Sequence, residues 1–355
     1  NIMKKYTYIL LMILGVMMAQ CTPEDLATPD NNVLPEEKEE DEYTNSYWYY
    51  SYEATNLITW ETLEMENKDE FIPYTVAHLG DTLFVANIGT AGSSLTVFSQ
   101  KENKALTTLR TWEFGGKEWK FGSNIESIVP ASNRLYVTER QSYIHVFQLP
   151  ELSYITSIGN GLWSGPVFQA QAVTVKDRLI FARDKNGKIS IYKESDATTE
   201  NHGKANRYRQ ASDNGSHGNN GFATHYMQPD DEGNILLTEY TGNKIRVLNP
   251  ALVNDDMVNG DNIDIEDRTM TLDFSPKTLA LSKDRWYATG NNNAINIYDC
   301  QKKEWISSIK SVKGYSFVQP ERIYAQNDSV FWISDINSNK RTLVKMEVHK
   351  GEIRD

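Results

Sequence analysis

Six times along the chain an apolar strand runs into a tight polar turn and returns as a strand rich in β-branched and aromatic residues. The turn-and-strand copies begin at Gly80 (GDTLFVAN), Ser132 (SNRLYVTE), Lys176 (KDRLIFAR), Glu232 (EGNILLTE), Lys283 (KDRWYATG) and Asn327 (NDSVFWIS). Their second turn residues are Asp81, Asn133, Asp177, Gly233, Asp284 and Asp328, at spacings of 52, 44, 56, 51 and 44 residues. A further strand follows each copy: LTVFSQ from Leu95, IHVFQL from Ile144, ISIYKE from Ile189, IRVLNP from Ile245, INIYDC from Ile295 and LVKMEV from Leu343. Its period-two alternation predicts a half-buried antiparallel strand. Fourth segments are expected after most copies, as at Ala105–Phe114, Leu152–Ile158 and Trp305–Val312. No sustained helical periodicity occurs beyond the first twenty residues, which excludes a two-domain α/β chain.

Four strands per repeat, repeated at this spacing, read as the meander of a propeller blade, which must stack on its neighbours to bury both faces. The expected fold is all-β, a β-propeller of four-stranded antiparallel blades over 44–355. Six repeats are clear. The segment Tyr47–Met65 reads as two more strands, and pairing an N-terminal strand into the last blade would close the ring. Seven blades is the alternative, because Asn45, Tyr47–Ala54 and Leu57–Leu63 fit the same turn-strand-strand frame. The repeats resemble quinoprotein-dehydrogenase-like and YncE-like propellers, including those on Bacteroidetes lipoproteins. That resemblance covers roughly 44–355 and implies the fold. Neither a WD dipeptide signature nor a Kelch double glycine is present.

The N-terminal pattern differs in kind. Met3 and Lys4-Lys5 precede an apolar run from Tyr8 to Ala19, too short to span a bilayer and of the length of a signal-peptide core. The run ends at Met18-Ala19-Gln20-Cys21, which resembles a bacterial lipobox cut before an acylated cysteine, with Gln20 bulkier than the usual residue there. Residues 1–20 are therefore expected to be a lipoprotein signal peptide. Residues 21–43 are expected to be an acidic tether, since 22–42 carry nine acids against Lys38 and lack a core. Glu24 and Asp25, just after the cysteine, resemble the surface-export signals of Bacteroidetes lipoproteins. The expected address is the cell envelope, lipid-anchored to the outer membrane on its surface or periplasmic side.

Composition narrows the function classes. A formal charge of −12 over 355 residues argues against a nucleic-acid partner. Two cysteines give no disulfide scaffold and cannot complete a structural zinc site. Cys300 ends an apolar strand and reads as a packed thiol. No G-x-S-x-G elbow, H-E-x-x-H pair or phosphate-cradling glycine loop occurs.

The repeat register points to one candidate site. Aligned on the turns, the innermost strands are IPYTVA, NIESIV, FQAQAV, THYMQP, SPKTLA and QPERIY. Seven residues before the second turn residue stand Tyr74, Glu126, Ala170, Tyr226, Lys277 and Glu321, beside Gln169, Gln171, His225 and Arg322. Tyr74, Glu126, Gln171, Tyr226, Lys277, Glu321 and Arg322 are the candidate ligand-binding residues at the channel mouth. The ends of the second strands add Asn87, Glu139, Arg140, Arg183, Asp184, Glu239, Tyr240, Asn291 and Asp335. Acids converging on one axis need either a divalent cation or salt bridges to Arg140, Arg183, Arg322 or Lys277; salt bridges are the favoured expectation. In the long connection 195–222, His202 and His217 read as surface histidines. In 253–267, Asp255, Asn259, Gly260, Asp261 and Glu266 match calcium-loop positions, but Met257 replaces a required oxygen, so a solvated turn is expected. Trp112, Trp119, Trp163, Trp286 and Trp332 are read first as inter-blade packing, second as platforms for a sugar or flat ligand.

The function expected from these residues is an envelope-anchored binding propeller without a cofactor and without a catalytic or metal site. It would be a monomer whose partner is a small molecule, a glycan or an envelope protein. The alternative is a metal-assisted enzyme of the lactonase or lyase type, with a divalent cation in the axial funnel. Cys21→Ser is expected to move the protein from the membrane to the soluble fraction on ultracentrifugation; unchanged sedimentation with membranes would overturn the lipid anchor.

Overall fold

The computed structural model describes residues 46–354, apart from 91, 141–142, 160–168, 185–187, 212–225, 255 and 257–267. Cys21, the leader, the tether, Trp163, His217, His225 and most of 253–267 lie outside them. The chain divides into two compact units, 1–47 with 353–355 and Trp48–Glu352. The second holds six four-stranded antiparallel sheets and, among the described residues, only three short 3-10 turns. This is a six-bladed β-propeller. From the axis outward, blade 1 is Pro73–Leu79, Thr82–Asn87, Ser94–Ser99 and Lys104–Leu109. Blade 2 is Ile125–Ala131, Arg134–Glu139, Tyr143–Gln148 and Ser153–Ile158. Blade 3 is Ala172–Lys176, Leu179–Arg183, Ile189–Lys193 and Arg209–Ala211. Blade 4 is Met227–Pro229, Ile235–Glu239, Lys244–Leu248 and Met270–Thr271. Blade 5 is Pro276–Leu281, Arg285–Gly290, Ile295–Asp299 and Glu304–Ile309. Blade 6 takes Pro320–Ala325, Val330–Ile336 and Arg341–Arg354 from the C-terminal end, and Ser46–Ile58 as its outermost strand.

That last strand settles the blade number. The segment expected to hold two strands forms one, and residues 59–65 turn away from it. Seven blades would need a complete second meander there. The tight turns of blades 1, 2 and 5 fall where the repeat predicts; those of blades 4 and 6 are longer, spanning 231–233 and 327–329, and that of blade 3 is displaced. Lys176 pairs with Leu179, so the two turn residues are Asp177 and Arg178, one place later than the sequence register. The expected strand Ala105–Phe114 also divides. It ends at Leu109, and Thr111–Phe114 pairs with Lys117–Lys120 as a separate hairpin.

The third strands were expected to be half-buried, yet Ser94–Ser99 is buried at every position. Blades stand face to face, so alternation here separates large apolar from small polar groups rather than core from solvent. Thr96, on the polar side, satisfies its hydroxyl against Thr108 Oγ1 at 3.0 Å. Six apolar clusters correspond to the six blade interfaces. Ala77 and Phe84 meet Ile128 and Val137 between blades 1 and 2. At the closing interface, Trp332 and Leu343 of blade 6 meet Val85 and Phe98 of blade 1, with Ile58, Leu63 and Phe71 from the incoming chain. Trp112 and Trp332 are indeed core residues, 8% and 1% exposed.

A ladder of aromatic rings and cations holds the closing strand. Tyr50 lies under the Arg285 guanidinium at 3.4 Å from the ring centroid. Arg285 Nη1 donates to the Tyr52 hydroxyl at 2.6 Å. Lys350 Nζ stands 4.4 Å over Trp48 and 2.6 Å from Asp284 Oδ2. On the outer edge, Ala54 N donates to Lys313 O at 2.9 Å and Lys313 N to Tyr52 O at 3.0 Å. A short hairpin, Ser311–Val312 with Tyr315–Ser316, thus covers part of an edge that would otherwise invite another strand. Cation–π contacts contribute about 0.5–2 kcal/mol each. Arg285→Ala, which removes one such contact and a charged hydrogen bond, is expected to cost about 1–3 kcal/mol in urea unfolding. Deletion of 46–58 is expected to abolish the cooperative transition altogether.

Candidate functional site

Four innermost strands carry the same irregularity near their starts. Pairing to the second strand slips between Pro73 and Thr75, Ile125 and Ser127, Pro276 and Thr278, and Pro320 and Arg322. The residue skipped is Tyr74, Glu126, Lys277 or Glu321. In blade 3, Gln171 N donates to Arg183 O at 2.9 Å, while Ala172 pairs with the same residue. This places Gln171, not Ala170, at the equivalent position. A β-bulge inserts one residue and re-aims its side chain. Repeated around the ring, the bulges gather at one end of the axis residues that a regular ladder would have sent between the blades.

Bulging also frees backbone carbonyls, and the neighbouring blade satisfies them. Thr238 Oγ1 donates to Lys277 O at 2.9 Å, Thr289 Oγ1 to Glu321 O at 3.1 Å, and Ser334 Oγ to Tyr74 O at 3.3 Å. In each case a second-strand hydroxyl of one blade reaches the bulge of the next.

The side chains so placed form two groups. Arg322 is buried and packs its guanidinium 4.1 Å over the Tyr74 ring. Its Nη2 lies 3.4 Å from Glu126 Oε2, and Arg140 Nη2 lies 2.6 Å from Glu126 Oε1. Burial works against the charge on Arg322, but Tyr74, Glu126 and Tyr226 around it hold its pKa above the ordinary guanidinium value. Tyr226 does not share the position of Glu126. Thr238 N donates to Tyr226 O as Ser334 pairs with Arg322, so Tyr226 is the blade 4 counterpart of Arg322, and burial raises its pKa. In the second group, Lys277 Nζ lies 2.8 Å from Glu321 Oε1, which also accepts from Gln319 Nε2. Gln171 is buried with its Oε1 unpartnered among the described residues. The same holds for both amide atoms of Asn87.

The expected mouth is therefore layered. Glu126 and Arg322, 1% and 5% exposed, lie inside it; Tyr74, Lys277 and Glu321 are half-buried, and Arg140 reaches solvent. The cavity beneath, lined by Thr75, Tyr226, Arg322, Tyr324, Trp332 and Ser334 among others, leaves about 10 Å³ for the centre of a solvent molecule. That is room for one water. Of the four acids expected to converge, Glu126 and Glu321 meet the expected cations; Glu139 pairs with His145 instead, and Glu239 Oε2 is buried with no hydrogen-bond partner among the described residues. Among the described residues no three His, Cys, Asp or Glu gather as a metal-binding group.

Several second-strand ends take structural roles. Asp335 is fully buried and accepts from Tyr315 Oη, Val318 N and Gln319 N at 2.9, 3.0 and 2.6 Å. It pins the connection between blades 5 and 6. Glu139 Oε2 pairs with His145 Nε2 at 2.8 Å, both buried. His202, expected on the surface, is half-buried: it stacks on Phe114 at 4.3 Å and contacts Tyr154 Oη at 3.1 Å. Burial, then the nearby His145, lowers its pKa. Its fixed ring fastens the extra hairpin to blade 2. The sequence signal for this was the aromatic run TWEFGGKEW, which the four-strand frame absorbed.

No family model matches this sequence, and no curated protein matches it. Solved structures match in shape. The β-propeller domain of Cps50 (Swd1) from Myceliophteria thermophila aligns with a TM-score of 0.52 at 11% identity, over 84% of this chain and 100% of that one. U3-55K aligns with a TM-score of 0.56 at 8% identity, over 83% and 99%. With 1320 solved chains matching, likeness at this level shows the propeller fold and carries no activity with it.

Removing one partner from a buried ion pair is far costlier than replacing both. Arg322→Ala is expected to cost about 3–5 kcal/mol in chemical denaturation, and adding Glu126→Gln is expected to recover part of that loss. Strict additivity of the two would show that the pair is uncoupled.

Proposed function

We propose that the protein is an envelope-anchored binding propeller, lipid-anchored through Cys21, that engages a small molecule, glycan or envelope protein. In this reading the bulged end of the axis is part of its recognition surface and catalyses nothing. One observation carries it: the two bulge acids are neutralised by cations, Glu126 by the Arg140 and Arg322 guanidinium groups and Glu321 by Lys277, with Gln319 donating to it as well. An acid neutralised by neighbouring guanidinium or ammonium groups needs no divalent cation to offset its charge. The lactonase or lyase alternative needs a chamber that admits substrate, and among the described residues the cavity at this end has space for about one water.

The half-exposed residues Tyr74, Lys277 and Glu321, with Arg140 at the rim, are the part of the site able to touch a ligand. Glu126, Tyr226 and Arg322 support them from below. Gln171 Oε1 and both amide atoms of Asn87, buried and unpartnered among the described residues, favour small polar occupants at this end, since unmatched buried groups call for a partner. The resemblance to propellers on Bacteroidetes lipoproteins favours the same address and role.

The test is surface plasmon resonance of the full chain against a detergent-solubilised envelope fraction. Arg140→Ala with Lys277→Ala is expected to reduce captured mass at least fivefold while leaving the melting temperature within a few degrees. Undiminished capture would remove this end of the axis from the reading. Turnover of any envelope component during the experiment would replace binding by catalysis.

A further inference from the structure

A second site lies away from the axis, on the face that blade 5 turns toward blade 4. Blade 4 ends in a two-residue strand, Met270–Thr271, and its described residues leave the outer half of blade 5 partly uncovered. A groove of about 500 Å³ remains, lined by Asp273, Phe274, Asn291, Asn292, Asn296, Trp305 and Ser308 among others. Its chemistry is uniform. Among the described residues no Lys or Arg lines it, and Asp273, the one carboxylate they supply, is exposed.

The polar groups are organised from within the blade. Asn296 sits directly across from Ser308. Asn292 and Asn296 hold each other through reciprocal amide bonds, Nδ2 to Oδ1 at 2.8 and 3.3 Å. Asn291 Oδ1 accepts from Ser275 N at 3.0 Å, which leaves its Nδ2 as a donor. Trp305 packs edge-on against Phe274 at 5.2 Å, and its Nε1 is buried with no partner among the described residues. A buried indole N–H without an acceptor requires explanation.

We propose that this groove binds a neutral carbohydrate. Amides, hydroxyls and one carboxylate match a ring of sugar hydroxyls, which both donate and accept. The aromatic wall suits the apolar face of the ring. The missing cations and the Asp273 carboxylate exclude phosphates, sulfates and uronates. The site rests on the reading of the chain as a binding protein and specifies one ligand class for it, at a place separate from the axis.

The experiment is an array of neutral and acidic glycans probed with the soluble Cys21→Ser chain. Two further variants are compared: Ser308→Tyr, which fills the groove from an exposed position, and Asn291→Ala. Neutral glycans are expected to bind, with signal falling at least tenfold in both variants and melting temperature unchanged. Absence of binding to every neutral glycan, preference for acidic glycans, or retention by Ser308→Tyr would each overturn the groove assignment. The axial pair Arg140→Ala with Lys277→Ala separates the two readings. Glycan binding that survives it but not Ser308→Tyr belongs to the groove alone, and loss of the envelope capture without loss of glycan binding leaves each site standing independently.

Discussion

The ring of blades is closed here by a last sheet completed from both ends of the chain. Every other feature of this protein presupposes that closure. Thr55 Oγ1 donates to Glu347 across 292 positions of sequence, and Arg285, Lys350 and Asp284 clasp Trp48, Tyr50 and Tyr52 from the neighbouring strands. Because blades 6 and 1 meet over Trp332, Leu343, Val85 and Phe98, loosening the closing strand also loosens the apolar seam that keeps the innermost strands in contact around the axis. The charges at the axis sit on those strands, so their geometry is inherited from a contact made at the rim.

Within the closed ring, the bulge converts a structural repeat into a chemical one. Strand alternation alone would distribute Tyr74, Glu126, Lys277 and Glu321 into apolar seams, where an unpaired charge costs several kcal/mol. One inserted residue in each of these blades turns them inward, and the carbonyls of Lys277, Glu321 and Tyr74 are taken up by Thr238, Thr289 and Ser334 of the blade before. Position and hydrogen-bond satisfaction arrive together. Blade 3 differs: the N–H of Gln171 donates to the backbone carbonyl of Arg183 in its own blade, and the position carries an amide rather than a charge.

The repeat was legible in sequence because turn chemistry and period-two patterning are local. Asp81 and Asn133 mark their turns without reference to anything distant. The axial residues were legible for the same reason, since counting back from a turn reaches the same rung of each inner strand. The count failed where local length varied. The blade 3 turn begins one residue late, which exchanges Ala170 for Gln171, and the longer blade 4 turn moves Tyr226 to the rung of Arg322. Depth was not legible at all. Whether Glu126 faces solvent or lies under Arg140 depends on side chains from blades 2 and 6, which are 196 residues apart. The extra hairpin at Thr111–Lys120 was hidden because its strands look like continuations of the blade; only its rings, packed on His202 and Tyr154, set it apart.

The split origin of blade 6 imposes an order on synthesis. Blades 1 to 5 can stack one upon another as they emerge, since each is contiguous in the chain and docks on its predecessor. Ser46–Ile58 emerges before all of them and has no partner until Arg341–Arg354 follows. For most of translation the cell therefore carries an unpaired, ring-rich strand, SYWYYSYEATNLI, of the composition that self-associates most readily. The polar and charged stretch immediately upstream, with its nine acids, stands beside that strand throughout the wait, and like-charge repulsion between nascent chains keeps such strands apart. The nine acids upstream of Ser46 thus add like charge to the strand that must wait longest for its partner.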